Sequence, residues 1–170
     1  DLLFEKTHEM KKLVEEKGGD VRLKGKMMAA LFYEPSSRTY SSFITSIQRL
    51  GGGIIPLSGM SNTSVAKGET LKDTVRVFSA YADVLIIRHP EAGSLKLAAE
   101  YAPKPVINAG EGAIGEHPTQ AFIDLYTIKQ KFGKIDGLNI LIIGDLAHYR
   151  PTNSLIMALT KYKNITLSLA

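Results

Sequence analysis

An α/β fold, built as a parallel sheet with helices on both faces and followed by the start of a second α/β domain, is predicted by three observations. Short runs such as "KMMAALFY" (26–33) and "VLIIRH" (84–89) are continuously apolar and of strand length. Strands of that kind belong in a sheet covered on both sides. Segments with helical periodicity lie between them, which is the pattern of βαβ units. Finally, 170 residues at 44% apolar composition suffice to bury a core.

The elements follow in order. "LLFEKTHEMKKLVEEKGG" places Leu3, Met10 and Leu13 near helical spacing and stops at Gly18-Gly19, as a surface helix would. The strand 26–33 comes next. "SSFITSIQRLGG" sets Phe43, Ile47 and Leu50 on one helical face and ends at glycine. "GIIPLS" is a short strand whose Pro56 favours a sheet edge. The triple glycine 51–53 ahead of it punctuates the passage from helix to strand. A polar loop, "GMSNTSVAKGE", precedes the helix "TLKDTVRVFSAYA", which aligns Leu71, Val75, Phe78 and Ala82. Strand 84–89, helix "SLKLAAEYA", strand "PVINA", a glycine loop, helix "TQAFIDLYTIKQKFG" and strand "ILIIGD" continue the alternation. Residues 1–145 are read as one complete domain of five strands. Residues 146–170, with the helix "TNSLIMALTKY" and the strand "ITLSLA", open a second domain, and that last strand is expected to have no partner within the chain.

Composition removes several classes of function. Without cysteine there is no disulfide framework, no thiolate zinc site and no cysteine nucleophile. His8, His89, His117 and His148 are scattered, without the spacing of a helical metal-binding pair, so no metal is expected. The net charge of +4 is spread along the chain, which suits anionic ligands and offers no block for nucleic acid. No apolar stretch reaches membrane-spanning length and no secretory leader is read, so a cytoplasmic protein is the default expectation.

Ligands of open α/β sheets bind beyond the carboxyl ends of the strands. The conspicuous polar residues fall there: Ser36, Ser37, Arg38 and Thr39 after the first strand, Arg88-His89 at the third, Asn108 at the fourth, Asp145 at the fifth. The Ser-Ser-Arg-Thr run also opens a helix, where backbone N–H groups and the helix dipole favour an anion. Arg38 adds a planar fork suited to phosphate. One serine would be read simply as a helix cap; four such residues together point to a phosphate site. In "HPTQ" (117–120), Pro118 suits a first helical turn and pins His117 at the helix entrance. There His117 can donate to an oxygen that gains negative charge, and Gln120 can hold an amide. "GEGAIG" (110–115) matches a dinucleotide fingerprint, but the helix is expected to begin after His117-Pro118, and Asp136 precedes a strand instead of ending one. Nucleotide binding is not expected there.

The segments "FYEPSSRTYSSF", "TSVAKGETLKDT", "IIRHPEAG", "PVINAGEGAIGEHPTQAFIDLYTI" and "IIGDLAHYR" occur in the order and spacing of the aspartate transcarbamoylase family, which the chain resembles over nearly its whole length. Ornithine transcarbamoylases share the first motif, but they read His-Pro-Cys-Gln where this chain has His-Pro-Thr-Gln and lack the Lys-Gly-Glu-Thr stretch at Lys67–Thr70. The resemblance implies that Ser36, Ser37, Arg38 and Thr39 cradle the phosphate of carbamoyl phosphate. It implies that Arg88 bridges phosphate and carbonyl, that His117 and Thr39 polarise the carbonyl, and that Gln120 orients the carbamoyl NH2. Arg150 would bind a carboxylate of L-aspartate. Ser64 and Lys67 match residues that reach a neighbouring subunit's site, which implies a homotrimer with shared sites. The implied reaction is attack of the aspartate α-amine on the carbamoyl carbon for pyrimidine synthesis, without metal or cofactor.

Three departures from the family pattern stand out. Ser37 replaces a threonine and keeps the hydroxyl. The loop between Ser64 and Lys67 is one residue shorter than in some members. "GDLAHYRPT" places Tyr149 where a glycine is usual and Pro151 where a threonine is usual. Two rival readings accompany the enzyme: a catalytically silent homologue acting as a structural or partner-binding subunit, and a transcarbamoylase for another amine.

Overall fold

The computed structural model describes residues 2–59, 63–112, 115–146 and 149–170. The chain opens with helix α1 (Leu2–Lys17), which buries none of its residues. Strand β1 (Met27–Phe32) leads to helix α2 (Ser37–Arg49), and strand β2 (Gly53–Ser58) to a 3-10 turn over Ser64–Lys67. Helix α3 (Leu71–Tyr81), strand β3 (Val84–His89), helix α4 (Ser94–Tyr101) and strand β4 (Val106–Glu111) follow. Helix α5 (Pro118–Phe132), strand β5 (Asn139–Ile142), helix α6 (Arg150–Leu159) and strand β6 (Thr166–Leu169) complete the order.

Four strands form a sheet in the order β2-β1-β3-β4. β1 runs parallel to both neighbours, with Phe32 level with Ser58 on one side and Arg88 on the other. β2 is an edge strand, as its Pro56 requires: a proline cannot donate to a second ladder. Met28 through Phe32 are all less than 5% exposed, so β1 is covered on both faces. On one face Ala29, Leu31, Leu85 and Ile87 join Val75 of α3 and Leu95 and Ala98 of α4 in a single core cluster. On the other, the Phe32 ring meets Tyr40 of α2 edge-to-face, with centroids 5.0 Å apart. The expected helical face of α3 is the one buried, with Val75 and Ala82 in the core and Leu71 and Phe78 packed against it.

The chain forms two compact units, one of residues 1–88 and 94–107, the other of residues 89–93 and 108–170. In the second, α5 packs on α6, and β5 pairs with β6 in parallel, Asn139 level with Thr166. Two expectations are corrected here. The fifth strand is not a member of the four-stranded sheet, and the last strand is not unpartnered. The physical reason is a local crossover: α6 returns the chain in the direction of β5, so β6 takes β5 as its neighbour in a βαβ unit. One boundary also shifts: β4 runs on to Glu111. α2 begins at Ser37, as expected of a helix opened by the Ser-Ser-Arg-Thr run, and Asn108 lies inside β4, where its Oδ1 accepts from the N–H of Gly110 at 2.8 Å.

The connection from α2 to β2 is built from backbone. Gly51 has φ +77°, and a Cβ on Gly52 would lie 2.6 Å from Cδ1 of Ile47, the residue α2 buries. At the start of the sheet, Asp83 ties β1 to β3. Its carboxylate accepts from the N–H of Met27 at 2.9 Å and from Lys26 Nζ at 3.2 Å. Among the described residues, no helix is long and apolar enough to cross a membrane.

Candidate functional site

In the first unit, the chain leaves β1 at Phe32 and reaches α2 within five residues. Ser36 is the N-cap residue in extended conformation, and its side chain makes no capping hydrogen bond. Its hydroxyl is thus not committed to the helix, which removes the plainest explanation for a serine there. Ser37, Arg38 and Thr39 occupy the first turn, whose N–H groups have no intrahelical acceptor. Ser37 and Arg38 are exposed and Thr39 is half-buried. No acidic residue sits in that turn, so the positive helix end is not neutralised locally.

Arg88 stands at the same carboxyl edge, because β1 and β3 are in register. The N–H of Tyr33 donates to the Arg88 carbonyl at 2.9 Å. The Arg88 guanidinium donates through Nε to Oε1 of Glu34 at 2.7 Å, both side chains being less than a fifth exposed. Glu34, two residues ahead of the cluster, orients this arginine. Nothing in the sequence marked it, since it joins Arg88 only through the strand register.

Ser64 and Lys67 lie on the 3-10 turn, both exposed. Thr63 caps the turn by accepting from the N–H of Val65, and Gly68 closes it in the left-handed region at φ +92°. The turn lines an open pocket of about 600 Å³ whose walls include Glu69, Thr74 and Phe78. Thr74 Oγ1 donates to Glu69 Oε1 at 2.7 Å. Nearby, burial pushes the Tyr33 phenol above its ordinary range, the Glu69 charge adds to that, and the Thr74 hydroxyl opposes it.

In the second unit, His117 is the N-cap of α5 with Pro118 in the first turn, as the His-Pro pair predicts. His117 is 8% exposed, and its backbone N–H donates to Ser154 Oγ on α6 at 2.7 Å. Its Nδ1 lies 3.3 Å from Thr119 Oγ1. Gln120, one turn in, donates through Nε2 to Asp124 Oδ1 at 2.9 Å. Burial pushes the Asp124 carboxyl above its usual range, and the bond from Gln120 pulls it back in part. Arg150 is the first residue of α6 and Pro151 the second, where a missing N–H costs the helix nothing. Tyr149 is the exposed residue before them.

The register thus brings Ser36–Thr39 and Arg88 to one sheet edge. His117 and Gln120 share one helix end, and Arg150 opens the helix that carries Ser154. Asp145 is exposed beyond β5, outside the four-stranded sheet. His148, residues 60–62 of the polar loop and residues 113–114 of "GEGAIG" lie outside the described residues. Among the described residues the helix that follows begins only at Pro118, later than the glycines of a dinucleotide site would place it. Of the supporting residues the sequence left unmarked, Asp124 had a signal, the four-residue spacing from Gln120 on a helix. Ser154 had none.

Comparison with known proteins supplies the rest. Residues 1–130 match the family model described as aspartate/ornithine carbamoyltransferase, carbamoyl-P binding domain. The chain is 50% identical over 167 residues to the aspartate carbamoyltransferase catalytic subunit of Methanococcus vannielii, covering 98% of this chain and 55% of that protein. It is 53% identical over 162 residues to the catalytic subunit of Pyrobaculum islandicum, covering 94% and 53%. Its structure resembles that of the Trypanosoma cruzi aspartate transcarbamoylase in complex with N-(phosphonacetyl)-L-aspartic acid. The TM-score is 0.91 at 40% identity, covering 98% of this chain and 54% of the other. The chain spans about half the length of the curated relatives it matches.

Proposed function

Because the chain belongs to the aspartate/ornithine carbamoyltransferase family, we propose that it carries the carbamoyl-phosphate side of an enzyme making N-carbamoyl-L-aspartate and phosphate for pyrimidine biosynthesis. The single observation that carries this reading is the sheet edge where β1 runs into Ser36–Thr39 and Arg88 stands level with Phe32. A helix end without local acid, a guanidinium fork and three hydroxyls suit a phosphate dianion.

In this reading Ser36, Ser37, Arg38 and Thr39 hold the phosphate, and Arg88 reaches from phosphate to carbonyl. His117 and Thr39 donate to the carbonyl oxygen as it becomes an oxyanion. Gln120 holds the carbamoyl NH2. The aspartate α-amine attacks the carbamoyl carbon, the C–O bond to phosphate breaks, and the proton lost by the amine leaves with the phosphate. Positioning and charge stabilisation carry the rate. Arg150 receives a carboxylate of aspartate. The remaining acceptor contacts belong to a second domain, and the pairing of β5 with β6 supports starting that domain ahead of Asn139 instead of at residue 146.

Ser64 and Lys67 are assigned to a neighbouring subunit's site in a cytoplasmic homotrimer. Their exposure on a capped turn supports that use. The silent-homologue and other-amine readings rest on Tyr149 and Pro151. Since Pro151 fits the first turn of α6 and leaves Arg150 at its start, the aspartate reading is preferred.

Calorimetry with carbamoyl phosphate, followed by carbamoyl-aspartate formation and a panel of other amines, separates the three. Arg38→Ala is expected to weaken carbamoyl phosphate binding about tenfold or more, the worth of one charge-assisted hydrogen bond, with an unchanged melting temperature. Unchanged affinity in that variant would remove the phosphate assignment.

A further inference from the structure

His117, Gln120 and Asp124 are three and four residues apart on α5, so they form one stripe along the helix. The first two have roles in the proposed reaction; the third has none. Gln120 carries an amide whose two ends have opposite polarity: Oε1 accepts, Nε2 donates. Holding the carbamoyl NH2 requires the accepting end. A free glutamine side chain would present either end, and half of its orientations would set N–H against N–H.

Asp124 removes that ambiguity. An ionised carboxylate only accepts, so the 2.9 Å contact with Gln120 has to be made by Nε2. Fixing Nε2 toward Asp124 turns Oε1 the other way. We propose that Asp124 is a positioning residue that selects the accepting end of the Gln120 amide for the carbamoyl NH2, and so sets the preference for a carbamoyl group over an acyl group of the same shape. This rests on the carbamoyl phosphate reading above.

The helix alone gives little reason for an aspartate here. Aspartate is a poor former of helix interiors, and half-burying its carboxylate penalises the charge. A glutamine–aspartate pair one turn apart returns only a small helix stabilisation. An alanine or leucine would serve α5 better.

The test compares carbamoyl phosphate with acetyl phosphate, in which a methyl group replaces the NH2, by calorimetry on the intact protein. Wild type should prefer carbamoyl phosphate. Asp124→Ala should weaken carbamoyl phosphate binding about fivefold, the worth of one oriented hydrogen bond, and leave acetyl phosphate unchanged. Asp124→Asn keeps the shape of the side chain, but its own NH2 can donate to Oε1 and turn the amide around. It should show the same selective loss. If both ligands weaken together, or neither does, Asp124 serves only the fold and the proposal is overturned. If wild type binds neither ligand, the carbamoyl phosphate reading itself falls, and this inference with it. That failure is visible before any variant is measured.

Discussion

The Nε of Arg88 donates to Oε1 of Glu34 across 2.7 Å, joining the end of β3 to the residue that follows β1 by two positions. Both side chains are largely buried, so the contact is shielded from solvent.

Glu34→Ala is therefore expected to lower stability by about 1–3 kcal/mol, and Arg88→Ala by a similar amount. The double variant should cost less than the sum, because both single changes remove the same contact. A double-mutant cycle by urea unfolding measures the coupling. Strict additivity would show that the contact carries no energy. Carbamoyl phosphate affinity should separate the two residues, falling sharply in Arg88→Ala and little in Glu34→Gln.

His117 and Ser154 should separate chemistry from scaffolding. Ser154→Ala leaves the buried N–H of His117 without its acceptor, at a cost of about 1–3 kcal/mol, and Ser154→Thr should recover much of it. His117→Ala should instead lower kcat on the order of a hundredfold, with a smaller effect on substrate binding. A His117→Ala enzyme with normal turnover would leave His117 as a helix-start residue only.

Acid stability should carry two opposite signatures. The Asp83 carboxyl is held below its ordinary value of 3.8, first by the Met27 N–H and then by Lys26. Its contribution is present above about pH 4 and lost as pH falls through the lowered folded value. Asp124 is raised from 3.8 by burial, so the native state holds its proton longer, and stability declines as pH rises from there through the raised value. Melting temperatures across pH 2 to 7 should show a shallower acid loss in Asp83→Asn and a steeper one in Asp124→Asn. Parallel curves for both variants and wild type would contradict the assignment.

The proposed sharing of sites between subunits would allow complementation. Lys67→Ala and Arg38→Ala should each be nearly inactive in the assembled enzyme. Mixed and reassembled, some interfaces would pair an intact Arg38 cradle with an intact neighbouring Lys67. Activity up to roughly a quarter of wild type should return from random trimers of an equal mixture. If Lys67 served its own chain, every mixed site would stay defective and none would return.

The sheet, its helices and the edge position of β2 were legible because continuous apolar runs and Pro56 leave few alternatives. The place of the Ser36–Thr39 cluster at a helix start beyond β1 was legible because its residue types are unusual together. Glu34 and Ser154 were not, since strand register and the packing of α6 bring them to Arg88 and His117 from 54 and 37 positions away. The partner of β6 was misread for a related reason: apolar content marks a strand without saying which strand it joins.

The glycine run after α2, read in sequence as one punctuation mark, is three separate constraints of descending severity. Gly51 needs a left-handed backbone and would press a side chain against Val21 Cα at 2.9 Å. A Cβ at Gly52 would meet the Ile47 side chain of α2 at 2.6 Å, so Ile47 and Gly52 are expected to change as a couple. Gly53 faces the thioether of Met27, whose unbranched end can swing aside. Drift among distant relatives should therefore enter this stretch from its strand end and stop at its helix end, leaving the first glycine as the slowest to change.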